Sequence, residues 1–192
     1  QSKPDPLGHV LNHLQGSYSL IFLFNDHIEA ARDPFGIRPL CLGRIEAGAY
    51  VVASETCALD VIGATFLREI EPGEIVRLDR DGLHSRHFVK PSDIQPAHCI
   101  FEHVYFSKQN SFIFGENVHE LRKKFGRQLA REHPVEADVV IPVPDSGTSA
   151  ALGYAAQSGI PFDMGMVRSH YVGRTFISPN QELRELEVRL KL

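Results

Sequence analysis

Apolar and polar positions alternate in two different ways along this chain. Leu7, Val10, Leu11 and Leu14 fall at i, i+3, i+4 and i+7, which predicts a short amphipathic helix over residues 5–15, ended by Gly16. From Ser17 to Val89 the rhythm is that of strands. Tyr18 to Phe24 is rich in β-formers and is turned by Asn25-Asp26. Glu29 to Arg32, Tyr50 to Ala53 and Ile75 to Leu78 follow as further strands. Arg80-Asp81-Gly82 reads as a hairpin loop, with Leu83 to Phe88 returning. A helix over residues 56–61, capped by Ser54 or Thr56, interrupts them.

Residues 91–96 hold two prolines, a serine and an aspartate and read as a linker. Beyond it the period changes. Val118, Leu121, Phe125 and Leu129 recur at helical spacing. Val139 to Val143 is nearly all apolar, the pattern of a central parallel strand covered on both faces. Residues 149–157 are alanine-rich and helical, Gly159 breaks them, and Pro161 to Val167 forms the next strand. Strand, helix, strand at this spacing is a βαβ unit. The fold class expected is α+β followed by α/β, divided near residue 93.

Composition narrows the function. The 192 residues carry 20 Lys and Arg against 24 Asp and Glu, a net charge of −4. A mildly acidic chain lacks the basic face that bulk nucleic-acid binding requires, and no apolar run reaches membrane-spanning length. Three widely spaced cysteines, Cys41, Cys57 and Cys99, argue against a disulfide framework and for a reducing cytoplasm. The chain begins at Gln1 and stops within a charged helical pattern, which suggests a fragment.

Four places can carry chemistry. Val143-Pro144-Asp145-Ser146-Gly147-Thr148-Ser149 lies at the carboxyl end of the buried apolar run and opens a helix, where ligands of open α/β sheets collect. Backbone N–H groups there favour anions, and Asp145 or Ser146 could help hold magnesium. An ordinary helix start explains the same residues. No lysine follows the glycine and no GxGxxG is present, so P-loop and dinucleotide fingerprints are absent. Arg168 to Thr175, with two arginines, a tyrosine and a glycine, suits a loop closing on a phosphate, or a solvated basic loop. Arg32 to Leu40 reads as a fixed turn and more as scaffold than catalyst. His98, Cys99 and His103 form the fourth place, where Cys99 reads most simply as core.

ARDPFGIRPL (31–40), YVVASETCALDVIGAT (50–65), EIEPGE (69–74), CIFEHVYF (99–106), VEADVVIPVPDSGTSAALGYA (135–155) and YVGRTFISPNQ (171–181) together resemble the amidophosphoribosyltransferases. RDPFGIRPL with ASE is also similar to asparagine synthetase, but only over residues 17–89, and no SGGxDS loop follows. A degenerate binding or scaffold relative is the third reading. The resemblance implies the rear half of an N-terminal-nucleophile glutaminase over residues 1–93 and the front half of a type I phosphoribosyltransferase over residues 94–192. It implies glutamine-dependent amination of phosphoribosyl pyrophosphate to 5-phosphoribosylamine, the first committed step of purine synthesis. The nucleophilic cysteine, the glutamine-binding residues and an acidic ribose-binding motif would lie outside this chain, leaving the fragment inactive and marginally stable alone.

By the same resemblance Ser146 matches a magnesium-site hydroxyl. Arg168, Tyr171, Gly173 and Arg174 match the loop that orders over phosphoribosyl pyrophosphate, and Lys191 matches a lysine near its end. His170 stands where many members carry arginine. Cys99 matches a cysteine that ligates a [4Fe–4S] cluster in some members and no cluster in others. The family also implies a homotetramer inhibited by purine nucleotides.

Overall fold

The computed structural model describes residues 5–171 and 180–191. They form two compact units, Gln1–Val118 and His119–Leu192.

The first unit is built from two antiparallel sheets. Strands β1 (Ser19–Leu23), β2 (Ile28–Arg32), β6 (Glu74–Asp79) and β7 (Gly82–His87) form one, in the order β1-β2-β6-β7. Strands β3 (Cys41–Arg44), β4 (Tyr50–Ala53) and β5 (Thr65–Glu69) form the other, in the order β4-β3-β5. Side chains alternate across a strand, so neighbouring residues enter different cores. Ala30, Leu42, Val76 and Leu78 meet Leu40 and Ile70 between the sheets. Ala31 and Ile75 point the other way and pack with Leu11 of helix α1 (Pro6–Leu11) and Phe88. Cys41 likewise turns from Leu42 toward Leu59 of helix α2 (Thr56–Val61). The layers therefore run helix, sheet, sheet, helix. Both faces of β2 are covered, and its two successive small residues, Ala30 and Ala31, are fully buried on opposite sides.

Two helix ends differ from expectation. Helix α1 stops at Leu11 instead of running to residue 15, because the Asn12 amide bonds Gly8 O at 2.9 Å and Phe88 O at 2.8 Å. Neither Ser54 nor Thr56 caps α2; Glu55 holds the cap position, and its side chain makes no capping bond to the helix. Thr56 Oγ1 instead accepts the Phe112 N–H at 2.8 Å. The Glu55 carboxylate accepts the Lys108 N–H and the Ser111 hydroxyl at 2.8 and 2.7 Å. Strands β3 and β5 and the small hairpin of β8 (Phe112–Ile113) and β9 (Glu116–Asn117) carry no clear alternation in the sequence and appear only in the structure.

The segment after residue 90 continues in the first unit. Pro91–Asp93 is a single 3-10 turn, and the N–H groups of Gln95, Ala97 and Cys99 donate to the carbonyls of Pro34, Phe35 and Ile37. A π-helical turn follows at Glu102–Phe106.

In the second unit, α3 (Val118–Glu132) and α4 (Thr148–Ser158) pack closely. A Cβ on Gly126 would collide with the Ala150 carbonyl, and one on Gly153 with the Lys123 carbonyl. Only glycine admits this approach. Gly159 closes α4 in the left-handed conformation at φ 76°, as its position predicts. Helix α5 is Gln181–Lys191. The expected central strand over 139–143 is not formed among the described residues. A single parallel bridge, Val140 to Phe162, marks the βαβ direction, and Val139, Ile141 and Val143 are 44%, 46% and 63% exposed. A strand covered on both faces needs neighbours on both sides, and here one isolated bridge takes their place.

Candidate functional site

The RDPFGIRPL segment forms a saturated buried knot. Arg32 is 1% exposed and Asp33 is fully buried. The Arg32 guanidinium donates to Arg38 O at 2.9 Å, Ile70 O at 2.6 Å and Gly36 O at 2.9 Å, and pairs with Glu69 at 3.4 Å. Its face lies over the Phe114 ring, and Glu69 also accepts the Phe114 N–H. Asp33 accepts N–H bonds from Tyr18, Phe35 and Ile37. Burial lowers the Arg32 pKa, while Glu69 and Asp33 push it back up. Burial, with Asp33 nearby, raises the Tyr18 phenol to about 12. Gly36 holds φ 58°, and a Cβ there would meet Pro72 at 2.8 Å. Every strong donor of Arg32 is engaged internally, so this motif acts as scaffold, as its sequence suggests.

Beside the knot lies a cavity of about 260 Å³, lined by Ser17, Ser19, Arg38, Ser54, Glu55 and Glu102 among others. Glu102, 1% exposed, pairs with Arg38 and accepts the Ser107 hydroxyl at 2.9 Å. Arg38 also lies 4.7 Å over the Phe106 ring. Cys99, half-buried, begins this segment, and its carbonyl accepts the Glu102 N–H. His98 stacks on Phe114 at 4.1 Å; burial first, and Arg32 second, lower its pKa. Burial raises the Cys41 thiol to about 12.

In the second unit the turn before α4 is fixed by its backbone. Gly147 donates to Val143 O at 3.2 Å and Thr148 to Asp145 O at 3.3 Å. A Cβ on Gly147 would meet Val143 O at 2.7 Å, so glycine is required for the tight turn. Among the described residues no side chain caps α4 at Gly147. Ser146 sits in this turn. Ser149, fully buried, lies within hydrogen-bond distance of His119 Nδ1, at 2.9 Å.

The second basic segment reaches the same turn. Arg168 Nη1 donates to Asp145 Oδ2 at 2.8 Å, joining residues 23 apart in sequence. The two candidate stretches therefore meet, although neither strand expected of the βαβ unit, over 139–143 or over 161–167, is formed among the described residues. Tyr171 is fully exposed. Lys191 ends α5, and its carbonyl accepts the Ser169 N–H at 2.7 Å. Gly173 and Arg174 lie outside the described residues. Neither the Asp145–Arg168 pair nor the His119–Ser149 contact has a local sequence signal; the shared end of a βαβ unit is the only hint.

Among the described residues no group of three or more His, Cys, Asp or Glu side chains surrounds a common metal position. A [4Fe–4S] cluster requires four thiolates, and the described residues do not fit it. Magnesium fits better, since one or two protein oxygens plus waters and substrate phosphates suffice. Ser146 and Asp145 are such oxygens.

Known proteins are similar to this chain. Residues 5–61 match the family described as a glutamine amidotransferase domain. A solved PRPP amidotransferase from B. subtilis, complexed with ADP and GMP, is similar at TM-score 0.87 and 48% identity, over 97% of this chain and 40% of that one. The soybean (Glycine max) chloroplastic amidophosphoribosyltransferase is 59% identical over 94% of this chain, and the Mycobacterium bovis amidophosphoribosyltransferase 51% identical over 95%. The resemblance to amidophosphoribosyltransferases read from the motifs is thereby borne out. It continues past residue 89, where an asparagine-synthetase-like reading would stop. The chain spans about a third of the length of these curated relatives.

Proposed function

We propose that this chain is part of an amidophosphoribosyltransferase, a pentosyl-class glycosyltransferase that aminates phosphoribosyl pyrophosphate with nitrogen from glutamine at the entry to purine synthesis. Residues 1–93 are then the rear of an N-terminal-nucleophile glutaminase and residues 94–192 the front of a type I phosphoribosyltransferase. The observation that carries this reading is the meeting of the PDSG turn and the Arg168 segment, joined by the Asp145–Arg168 bond. It brings a guanidinium, a hydroxyl-bearing turn and a helix start to one place, the elements a diphosphate requires.

In this reading Arg168 and Tyr171, with Gly173, Arg174 and Lys191, bind the phosphate-bearing substrate. Ser146, with Asp145 next to it, offers oxygen donors to Mg2+; the metal, when bound, neutralises diphosphate charge. Ammonia from the glutaminase half attacks C1 of the ribose and pyrophosphate leaves. The Arg32 knot does not touch substrate; it fixes the sheets that carry the glutaminase half. Residual proposals are a homotetramer and inhibition by purine nucleotides, in keeping with the ADP and GMP of the B. subtilis complex. A reducing compartment, the cytoplasm, is kept from the cysteine pattern, although the soybean relative is named as chloroplastic. Cys99 remains a candidate [4Fe–4S] ligand only if the other thiolates come from elsewhere, and no step is derived through a cluster.

The full-length protein tests this. Glutamine, phosphoribosyl pyrophosphate and Mg2+ together should release pyrophosphate and glutamate in equal amounts. Absence of glutamine-dependent pyrophosphate release overturns the reading. Arg174→Ala should lower pyrophosphate release about 100-fold, the cost of removing one charge-stabilising donor, while glutamine hydrolysis changes much less.

A further inference from the structure

We infer that Asp145 is a specificity-determining residue: its carboxylate holds the Arg168 guanidinium when no ligand is present and yields it to a diphosphate group that arrives with a divalent cation. The inference rests on the transferase reading above and goes beyond it by assigning Asp145 a selective role.

Three observations carry it. The bond is short, 2.8 Å from Arg168 Nη1 to Asp145 Oδ2. It is also accessible, with the Arg168 side chain 35% and the Asp145 side chain 54% exposed. An ion pair open to water is worth little, so an incoming anion can displace it cheaply. Finally, Arg168 Nε is enclosed and makes no hydrogen bond among the described residues. The guanidinium's hydrogen bonding is thus unsaturated in this arrangement, and once it turns from Asp145 it can present to a phosphate the fork that bidentate recognition uses.

Displacement has a consequence for the carboxylate. Asp145 is next to Ser146 in the turn that opens α4. Once Arg168 turns to phosphate, an unaccompanied diphosphate faces the Asp145 carboxylate and is repelled. A diphosphate carrying Mg2+ brings the carboxylate a new counter-charge. Asp145 therefore exchanges a guanidinium for a metal ion and penalises metal-free ligand. The buried Asp33 cannot do this, because its hydrogen bonds come from backbone N–H groups fixed in the turn.

The test uses the full-length protein and inorganic pyrophosphate, titrated calorimetrically with Mg2+ and again with EDTA. Asp145→Asn should tighten metal-free pyrophosphate binding about two- to fivefold, the scale of an exposed ion pair, and shrink the preference for the Mg2+ form. Asp145→Ala should do the same, which guards against a folding artefact in either variant. In an Arg168→Gln background the gain should shrink, because the competition for the guanidinium is gone and only the direct repulsion by the carboxylate is left; loss of all binding there also agrees, since Arg168 is then the group Asp145 competes for. Unchanged or weaker metal-free binding in Asp145→Asn overturns the inference. So does a gain of equal size in the Arg168→Gln background, which would reflect a general field. If the unmodified protein binds pyrophosphate under neither condition, the transferase reading falls and takes this inference with it. If it binds but Asp145→Asn changes nothing, only the inference falls.

Discussion

Each unit contains an arginine facing an aspartate-bearing turn, and the two arginines are used oppositely. Arg32 is buried, with three carbonyls and a carboxylate around it. Arg168 is one-third exposed, with one carboxylate bond and an unspent Nε among the described residues. A buried charge is tolerable only when fully paired. Full pairing leaves nothing for a ligand. An exposed, partly paired guanidinium gives little stability but stays available. The number of internal acceptors, not the residue type, separates scaffold from candidate site.

Substitution of the two arginines tests that contrast most strongly. Arg32→Ala should cost about 3–5 kcal/mol, because it strands Glu69 and several buried carbonyls. Denaturant unfolding of the full-length protein measures it; a loss under about 1 kcal/mol would contradict the knot's structural role. Gly153→Ala comes next. Its Cβ must push α4 from the Lys123 carbonyl, and about 1–3 kcal/mol is expected from such overpacking, read as a lower melting temperature.

Acid sharpens the comparison further. Glu74 is 1% exposed and belongs to the buried network of the first unit. Burial alone would raise its pKa, but donors from Arg68 at 2.6 and 2.8 Å, Ser85 at 2.5 Å and the Glu71 N–H at 2.6 Å together lower it. A carboxylate with a lowered folded pKa stabilises the fold above its unfolded value, about 4.3, and loses that contribution as pH falls through the folded value. Melts between about pH 6 and 3 should show the decline. Glu74→Gln should be less stable near neutrality and flatter over that acid range. The smallest effect is expected at Arg168→Ala, within about 0.5 kcal/mol of the parent in stability while weakening phosphoribosyl pyrophosphate binding. A large stability loss there would erase the contrast.

Much of this was legible in the chain. Runs of β-forming residues between turn signals placed β1, β2, β4, β6 and β7, and the Arg80-Asp81-Gly82 turn placed a hairpin. Gly159 marked the end of α4. Strands β3 and β5 were not legible: Gly43 and the register shift at Leu42/Gly43 break their alternation, and pairing with each other supplies what local pattern does not. The capping role expected of Ser54 or Thr56 failed for a related reason. A hydroxyl near a helix start has no local preference strong enough to refuse a distant N–H, and Phe112 takes Thr56.

The sequence by itself determined five strands of the first unit, the helices of the second, the turns and the motifs that resemble amidophosphoribosyltransferases, because each depends on residues within a few positions of one another. Only the tertiary structure decided which charges are spent and which remain usable. Arg32 and Arg168 are chemically alike in the sequence, yet one is surrounded by carbonyls from residues 36, 38 and 70 and the other meets a carboxylate 23 residues away. Burial and partner number are properties of non-local packing, and they set whether a guanidinium holds the fold or waits for an anion.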